Sequence, residues 1–226
     1  AGYHGNLSSL VDISPYKHEG PGGAGAPDFV HTIPRPDKFR GKYRGDNTVD
    51  AYVSEVIKII DNIKQNKKNV SAFMVESLMG CGGQIVLPES FLKKTFKLIN
   101  DVGGINIADE VQIGFGRMGS SFWGFETCDV IPDIVTLGKS MGNGHPIAAV
   151  VTTKEIADKF NNGMEYFNSF GGNPVSCSIG NEVLNIIEDE DLQKNAFEVG
   201  NHLITQLRTL DHPLIGDIRG IGLFVG

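Results

Sequence analysis

The sequence has little cysteine and no long hydrophobic run. Its three cysteines, Cys81, Cys128 and Cys177, lie far apart. They therefore indicate no disulfide framework, and a reducing compartment is favoured. No apolar segment approaches the ~18 residues that a membrane-spanning helix needs. No metal-ligand spacing occurs among the six histidines, so neither a membrane segment nor a metal site is expected.

Positive charge is also scarce. Lysine and arginine number 20 against 27 aspartates and glutamates, which gives a net charge of −7. This balance argues against nucleic acid or an anionic membrane surface as a partner. The hydrophobic fraction of 40 % and the charged fraction of 21 % are typical of a globular protein.

Strands and helices alternate along most of the chain. The Gly- and Pro-rich segment 20–27 predicts a loop that continues to Asn47. Helices are predicted over 51–66, 89–103, 154–160, 174–189 and 191–210. Strands are predicted over 70–76, 105–109, 133–139 and 146–153. This alternation predicts a three-layer α/β fold, in which a mostly parallel sheet carries helices on both faces.

Three predicted strands end on residues that can do chemistry. Glu76, Asp109 and Lys139 each stand at the carboxyl end of a strand. Open parallel sheets bind their ligands beyond these ends, so the three side chains are predicted to share a site. Lys139 and Asp109 also have plainer interpretations: a surface position for the lysine, and a turn or helix cap for the aspartate.

Two nucleotide-binding patterns occur in the sequence, but both are incomplete. The segment GFGRMG at 114–119 has the G-x-G-x-x-G spacing, but a dinucleotide site needs a helix that starts on the glycines. The following residues, 120–133, show no helical stripe. The segment LGKS at 137–140 resembles the end of a P-loop, yet Asp133 stands where that motif needs glycine.

A lysine and a carboxylate on neighbouring strand ends suit pyridoxal phosphate. The glycines around Lys139 in GKSMGNGHP let a bulky ligand approach the backbone. A desolvated lysine can form a Schiff base with a carbonyl. A carboxylate beside the pyridine nitrogen keeps that nitrogen protonated, so that the ring can accept electrons. Lys139 and Asp109 are the candidates for these two roles.

The same segments carry a family resemblance. IADEVQIGFGRMG and PDIVTLGKSMGNGHP, with Lys139 thirty positions after Asp109, resemble the signature of class III pyridoxal-phosphate aminotransferases. YHG, ESLMGCGGQ, FGGNP and RGIGLF follow in the family's order, so the resemblance covers almost the whole chain. It implies a fold type I large domain over 1–188, lacking its N-terminal part, and the beginning of a small α+β C-terminal domain over 189–226. The closing strand-like run DIRGIGLFVG predicts an internal piece of a longer protein.

The resemblance implies a role for each matching residue. Lys139 would hold the cofactor and move the substrate proton, and Asp109 would pair with the pyridinium nitrogen. Gln112 would hydrogen-bond the phenolic oxygen of the ring. Val111 would pack under the ring, and Tyr3 would stack on its other face.

Three further positions complete the implied site. His4 lies near it in the YHG segment, and Glu76 would help to orient it. Ser169 stands where the family usually has threonine; its hydroxyl would reach across a dimer interface to the partner's cofactor phosphate. The resemblance therefore implies a homodimer.

Two departures from the family bear on the substrate. Members that act on ω-amino acids have arginine where this chain has Asn6, and glutamate where it has Cys81. Both residues serve to handle a substrate carboxylate, so their absence favours an amine without a carboxylate at that place. RGKYR, CGGQI and GDIRGIGLF resemble the alanine–glyoxylate aminotransferase 2-like group, which includes ethanolamine-phosphate phospho-lyases.

Three functions remain open from the sequence. A phospho-lyase would eliminate phosphate from ethanolamine phosphate or a similar phosphorylated primary amine. An aminotransferase would use alanine with glyoxylate, or an ω-amine. A truncated homologue would be non-catalytic and would serve as a binding module. The mitochondrial members of the group imply a location in the mitochondrial matrix or the cytoplasm.

Overall fold

A four-stranded sheet forms the centre of the computed structural model, which describes residues 2–226. The strands of the described chain are β1 (Ala72–Glu76), β2 (Leu78–Met79), β3 (Ile85–Val86), β4 (Ile105–Asp109), β5 (Ile134–Leu137), β6 (Ala149–Thr152), β7 (Gly220–Ile221) and β8 (Phe224–Val225). The central sheet has the order β1-β4-β5-β6, and β2-β3 and β7-β8 form two small hairpins. β1, β4 and β5 run parallel, whereas β6 is antiparallel to β5.

Helices flank this sheet. They are α1 (Ser8–Asp12), α2 (Pro15–His18), α3 (Val49–Gln65), α4 (Phe91–Asp101), α5 (Lys154–Phe160), α6 (Pro174–Asp189) and α7 (Leu192–Arg208). Two short 3-10 turns cover Gly124–Cys128 and Lys139–Gly142. The predicted α/β class, with a mostly parallel sheet flanked by helices, is confirmed.

The main core lies where α3 and α4 pack beside β1. Tyr52, Val56 and Phe91 are among its most deeply buried members. The spacing of apolar residues along α3 brings most of them to one stripe, because side chains three and four positions apart share a helix face. Ile57 belongs to the same sequence pattern but is 41 % exposed, since it lies at the side of that stripe.

The segment between α2 and α3 contains no helix or strand, as its composition predicts. It is nevertheless held in place by the buried Tyr52 of α3. The Tyr52 hydroxyl accepts a hydrogen bond from the backbone N–H of Tyr43 at 3.1 Å and lies 2.9 Å from the Tyr43 carbonyl. One buried phenol therefore fixes this part of the loop.

Strand register determines which side chains meet at the carboxyl edge of the sheet. Glu76 pairs with Asp109, and Asp109 pairs with Thr136 on the other side. Paired residues of parallel strands point to the same face, so these three side chains form one row across β1, β4 and β5.

The third predicted strand is shorter than the sequence indicated. β5 ends at Leu137, and Lys139 begins the 3-10 turn that follows. The lysine therefore lies just beyond the strand end.

The C-terminal hairpin β7–β8 packs against α7 and β3. Arg219 next to this hairpin donates from Nε to the carbonyl of Gln84 at 3.2 Å. The proposed domain boundary near 188 stays a prediction. Among residues 2–226, no helix is both long and apolar enough to cross a bilayer.

Candidate active site

Three carboxyl groups are buried at the carboxyl edge of the sheet. Glu76 is 3 % exposed, Asp109 5 % and Glu110 1 %. Buried carboxylates are costly unless they are hydrogen-bonded or paired. Each of the three has such partners, and those partners position the surrounding loops.

Asp109 is paired with the histidine of the YHG segment. His4 Nδ1 lies 2.8 Å from Asp109 Oδ2, and the backbone N–H of Val111 donates to Oδ1 at 3.1 Å. The backbone N–H of His4 donates to Ser14 Oγ at 3.0 Å, which fixes the position of this segment. The structure thus brings together two predicted site residues that are 105 positions apart.

Glu76 connects two loops to the end of β1. It accepts a hydrogen bond from the backbone N–H of Gly80 at 2.8 Å and another from that of Tyr3 at 3.2 Å. Burial raises the pKa of Glu76, and these two N–H donors oppose the rise. Its position supports the predicted orienting role, because it fixes the segment that carries both Tyr3 and His4.

Gln112 lies against the turn between β2 and β3. Its Nε2 is 3.6 Å from Cys81 Sγ, and a Cβ atom added at Gly80 would lie only 2.8 Å from its Oε1. A side chain at position 80 would collide with the amide group of Gln112, so glycine is required there. Across the site, a Cβ at Gly138 would lie 3.4 Å from Val111, so the lysine-bearing turn passes close to Val111.

Lys139 has an unusual backbone conformation. Its φ of 35° is in the left-handed region, which a lysine adopts only when the surrounding structure imposes it. The sequence predicts a desolvated lysine at a buried strand end. The side chain is instead exposed, because the residue lies beyond β5 at the rim of an open cavity.

The side chains of two predicted residues take no part in this hydrogen-bonded group within residues 2–226. The ring of Tyr3 is 5.6 Å from that of Tyr16, centroid to centroid, and Lys17 Nζ lies 5.2 Å from its centre. Ser169 lies in the exposed loop between α5 and α6. The stacking role of the tyrosine and the cross-dimer role of the serine stay predictions.

Sequence reasoning gave no role to Glu110, although it stands next to Asp109. Its carboxylate accepts from Ser77 Oγ at 2.7 Å and from the backbone N–H groups of Gly124 and Phe125 at 2.7 and 3.0 Å. Glu110 therefore anchors the aromatic loop that follows the glycines. The adjacent acidic residues Asp109 and Glu110 were the sequence signal for a site. The hydrogen-bond partners of Glu110 could not be predicted, because they are distant in the chain.

The glycine-rich segment after β4 forms a loop, and no helix begins at its glycines. A Cβ at Gly119 would overlap the backbone nitrogen of Phe197 in α7. The glycine thus permits close packing against α7, which agrees with the rejection of a dinucleotide site. Within residues 2–226, no group of three or more His, Cys, Asp or Glu side chains is arranged to hold a metal ion.

The residues at this edge fit pyridoxal phosphate. Thr136 Oγ1, beside Asp109 in register, is buried without a hydrogen-bond partner in residues 2–226. Three extended residues span at most about 11 Å, and neighbouring strands lie about 4.8 Å apart. The Cα atoms of Asp109 and Lys139 are therefore within about 12 Å, a distance that one pyridine ring and a lysine side chain can bridge.

The sheet topology and the residues at its carboxyl edge agree with a pyridoxal-phosphate-binding domain of fold type I. The chain belongs to the Aminotransferase class-III family, whose family model matches residues 1–226. The predicted family and its cofactor are thereby confirmed. The role of each individual site residue stays a prediction.

Curated relatives include both kinds of enzyme that the sequence left open. The chain is 47 % identical to "Alanine--glyoxylate aminotransferase 2-like" of Drosophila melanogaster, over 99 % of this chain and 47 % of that protein. It is 41 % identical to "Ethanolamine-phosphate phospho-lyase homolog 1" of Caenorhabditis elegans, over 99 % and 51 %. It is 40 % identical to the human "Alanine--glyoxylate aminotransferase 2, mitochondrial", over 99 % and 47 %.

A solved structure is similar over nearly the whole chain. It is a phospholyase from Arthrobacter in complex with phosphoethanolamine, with a TM-score of 0.88 and 34 % sequence identity. The match covers 98 % of this chain and 53 % of that one. The chain spans about half the length of the proteins that it matches.

Proposed function

We propose that the protein is a pyridoxal-phosphate lyase that removes phosphate from a phosphorylated primary amine such as ethanolamine phosphate. The observation that carries the proposal is the pair of side chains at Asn6 and Cys81. Neither offers the guanidinium or carboxylate that relatives acting on ω-amino acids use to handle a substrate carboxylate. The similarity to the phospholyase that binds phosphoethanolamine supports the same choice.

The chain's own residues divide the chemistry between the two strand ends. When bound, pyridoxal phosphate supplies a carbonyl that condenses with an amine and a ring that takes up electrons. Asp109 would keep the pyridine nitrogen protonated, and His4, whose Nδ1 lies 2.8 Å from Asp109 Oδ2, fixes this carboxylate. Gln112 would hydrogen-bond the phenolic oxygen, and Val111 would pack against the ring.

Lys139 Nζ moves the proton of the reaction. It removes this proton from the carbon that bears the amine. Phosphate then leaves from the next carbon with the electron pair of the broken C–O bond, and a carbon–carbon double bond forms. Hydrolysis of the resulting unsaturated amine gives an aldehyde and ammonia, so the reaction consumes water and no keto acid.

The test is phosphate release from ethanolamine phosphate by the full-length enzyme without any keto acid. We expect steady release, and a loss of at least about 100-fold in Lys139→Ala, since a general base contributes 10²–10⁴ to the rate. Lys154→Ala is the matched control, because Lys154 is an exposed lysine of α5 paired with Asp158. Absence of release from the wild-type enzyme would reject the proposal.

An aminotransferase is the second candidate. It is favoured by the similarity to two proteins named alanine–glyoxylate aminotransferase 2 or 2-like. Consumption of alanine that depends on glyoxylate, with no phosphate released from ethanolamine phosphate, would select this candidate.

We also propose that the protein is located in the mitochondrion. The human relative carries the word mitochondrial in its name, which supports the mitochondrial alternative over the cytoplasmic one.

A further inference from the structure

The turn between β2 and β3, residues 80–84, is rich in glycine and yet has an unfavourable backbone conformation. Its sequence is GCGGQ. Gly83 and Gln84 both have positive φ angles, of 117° and 49°. Such a conformation is unfavourable for glutamine, and glycine loses more conformational freedom on ordering than any other residue. Contacts from outside the turn are therefore needed to hold it in this shape.

Two arginines from distant segments supply these contacts. Arg35 Nη1 donates to the carbonyl of Gly82 at 3.2 Å. Arg219 donates from Nε to the carbonyl of Gln84 at 3.2 Å and from Nη2 to that of Gly83. Three consecutive carbonyl groups of the turn thus accept hydrogen bonds from guanidinium groups, and hydrogen bonds from charged donors are stronger than those between neutral groups.

An aspartate two positions away contacts each guanidinium. Arg219 Nη1 lies 2.6 Å from Asp217 Oδ2, and Arg35 Nη2 lies 3.6 Å from Asp37 Oδ2. Because both arginine side chains are partly exposed, these ion pairs add little stability by themselves. Their effect is to orient the two planar donor groups toward the turn.

The shape of this turn decides where several site residues lie. The backbone N–H of Gly80 donates to Glu76 Oε2 at 2.8 Å. The same glycine lies against the amide of Gln112, so that a Cβ atom there would come within 2.8 Å of Oε1. Cys81 Sγ is 3.6 Å from Gln112 Nε2. A movement of the turn would therefore displace Cys81 and alter the surroundings of both Glu76 and Gln112.

We propose that Arg35 and Arg219 are positioning residues of the active site. Both act through the turn at 80–84, which places Gln112 for its contact with the cofactor and Cys81 beside it. Through Arg219, the C-terminal hairpin β7–β8 shapes a site that is built on the central sheet. For Gln112 this inference rests on the proposed function, whereas the hold of the arginines on the turn is independent of it.

The first experiment measures amide hydrogen exchange in the full-length enzyme loaded with pyridoxal phosphate. The N–H groups of Gly83 and Gln84 donate to the carbonyl of Gly80, so their exchange reports opening of the turn. We expect Arg219→Gln to accelerate it at least about tenfold, the factor that corresponds to the loss of a hydrogen bond from a charged group. Arg35→Gln should have a smaller effect, because Arg35 serves one carbonyl and Arg219 serves two.

Controls separate this effect from a general loss of stability. Exchange in the core helix α3 should stay as in wild type. Arg208→Gln, which alters an exposed arginine at the end of α7, should leave exchange in the turn unchanged. Arg219→Lys keeps the charge but lacks the forked donor group, so we expect an intermediate acceleration. It carries the same test if Arg219→Gln does not fold.

The second experiment observes Gln112 through the cofactor. The pH midpoint of the visible absorbance band depends on hydrogen bonding at the phenolic oxygen of the ring. Gln112→Leu shows the direction of the shift when this contact is lost. Arg219→Gln should shift the midpoint in the same direction, and it should add nothing when Gln112 is already leucine. An arginine with a merely structural role would leave the midpoint at its wild-type value.

The proposal is overturned if exchange in the turn of Arg219→Gln stays within about twofold of wild type, or if it rises equally in Arg208→Gln or throughout α3. It is also overturned if the turn opens and the midpoint does not move. If Gln112→Leu itself leaves the midpoint unchanged, the role of Gln112 is wrong and the positioning of the site falls with it, while the exchange data still show whether the arginines hold the turn. Neither measurement depends on which amine is the substrate, so a failure of the lyase proposal is seen separately.

Discussion

At the scale of single residues, Glu110 shows how the edge of the sheet is built. Its two carboxylate oxygens accept three hydrogen bonds, from Ser77, Gly124 and Phe125. An amide keeps one acceptor oxygen and turns a donor toward groups that are donors themselves. Glu110→Gln should therefore lower the free energy of unfolding by about 1–3 kcal/mol, the cost of a buried unsatisfied group. Denaturant unfolding measures this.

The same substitution has a pH dependence with a defined sign. Burial raises the pKa of Glu110 above its ordinary value of 4.5. A raised pKa adds stability below pH 4.5 that is lost as pH rises through the folded-state pKa. The advantage of wild type over Glu110→Gln should thus shrink as the pH rises above 4.5. The exposed Glu188→Gln should show no such trend, and an advantage that grows with pH would contradict the assignment.

Sequence reasoning located residues better than it located their contacts. The rule that parallel sheets act at their carboxyl ends was enough to select Glu76, Asp109 and Lys139. The contact between His4 and Asp109 could not be predicted from the sequence, because the two residues are 105 positions apart and only the fold brings them together. The exposure of Lys139 was likewise missed, since it depends on where β5 ends.

At the scale of elements, two helix glycines make a matched pair. A Cβ at Gly200 in α7 would overlap the carbonyl oxygen of Gly222 in the turn between β7 and β8, whereas one at Gly180 in α6 would lie 3.4 Å from Ile147 Cδ1, an ordinary contact. Gly200→Ala should lower the free energy of unfolding by about 1–3 kcal/mol through overpacking. Gly180→Ala should raise it by about 0.5–1 kcal/mol through helix propensity.

The urea midpoints of Gly200→Ala and Gly180→Ala, each measured against wild type, show how each substitution changes the free energy of unfolding. Equal shifts in both variants would show that helix propensity alone operates. That result would remove the evidence for close packing of α7 against the C-terminal hairpin.

Long helices were predictable and short elements were not. The helix over 174–189 begins and ends as predicted, because an Asn-Pro start and a long apolar stripe mark it. α1 and α2 have only five and four residues, too few to show a period. The antiparallel direction of β6 also escaped prediction, since a strand's own sequence does not specify the direction of its neighbour.

At the scale of the whole molecule, the predicted homodimer bears on an exposed apolar loop. Met164, Tyr166, Phe167 and Phe170 lie between α5 and α6 and are 73–82 % exposed. Large exposed apolar patches often mark interaction sites in proteins. The predicted homodimer would cover it and bring Ser169 to the partner's site.

Sedimentation of the full-length protein tests this interface. We expect a dimer whose Kd rises at least about tenfold in Phe167→Asp, as for a central aromatic of an interface. Ile131→Asp is the control, because Ile131 is 90 % exposed but lies outside the loop. A monomeric wild type, or an unchanged Kd in Phe167→Asp, would contradict the interface.

The most direct test of the whole account is to find which lysine holds the cofactor. The full-length enzyme loaded with pyridoxal phosphate is reduced with borohydride, digested and mapped by mass spectrometry. The account predicts a pyridoxyl group on Lys139 and a loss of the visible absorbance band on reduction. A pyridoxyl group on another lysine, or none on Lys139, would contradict it.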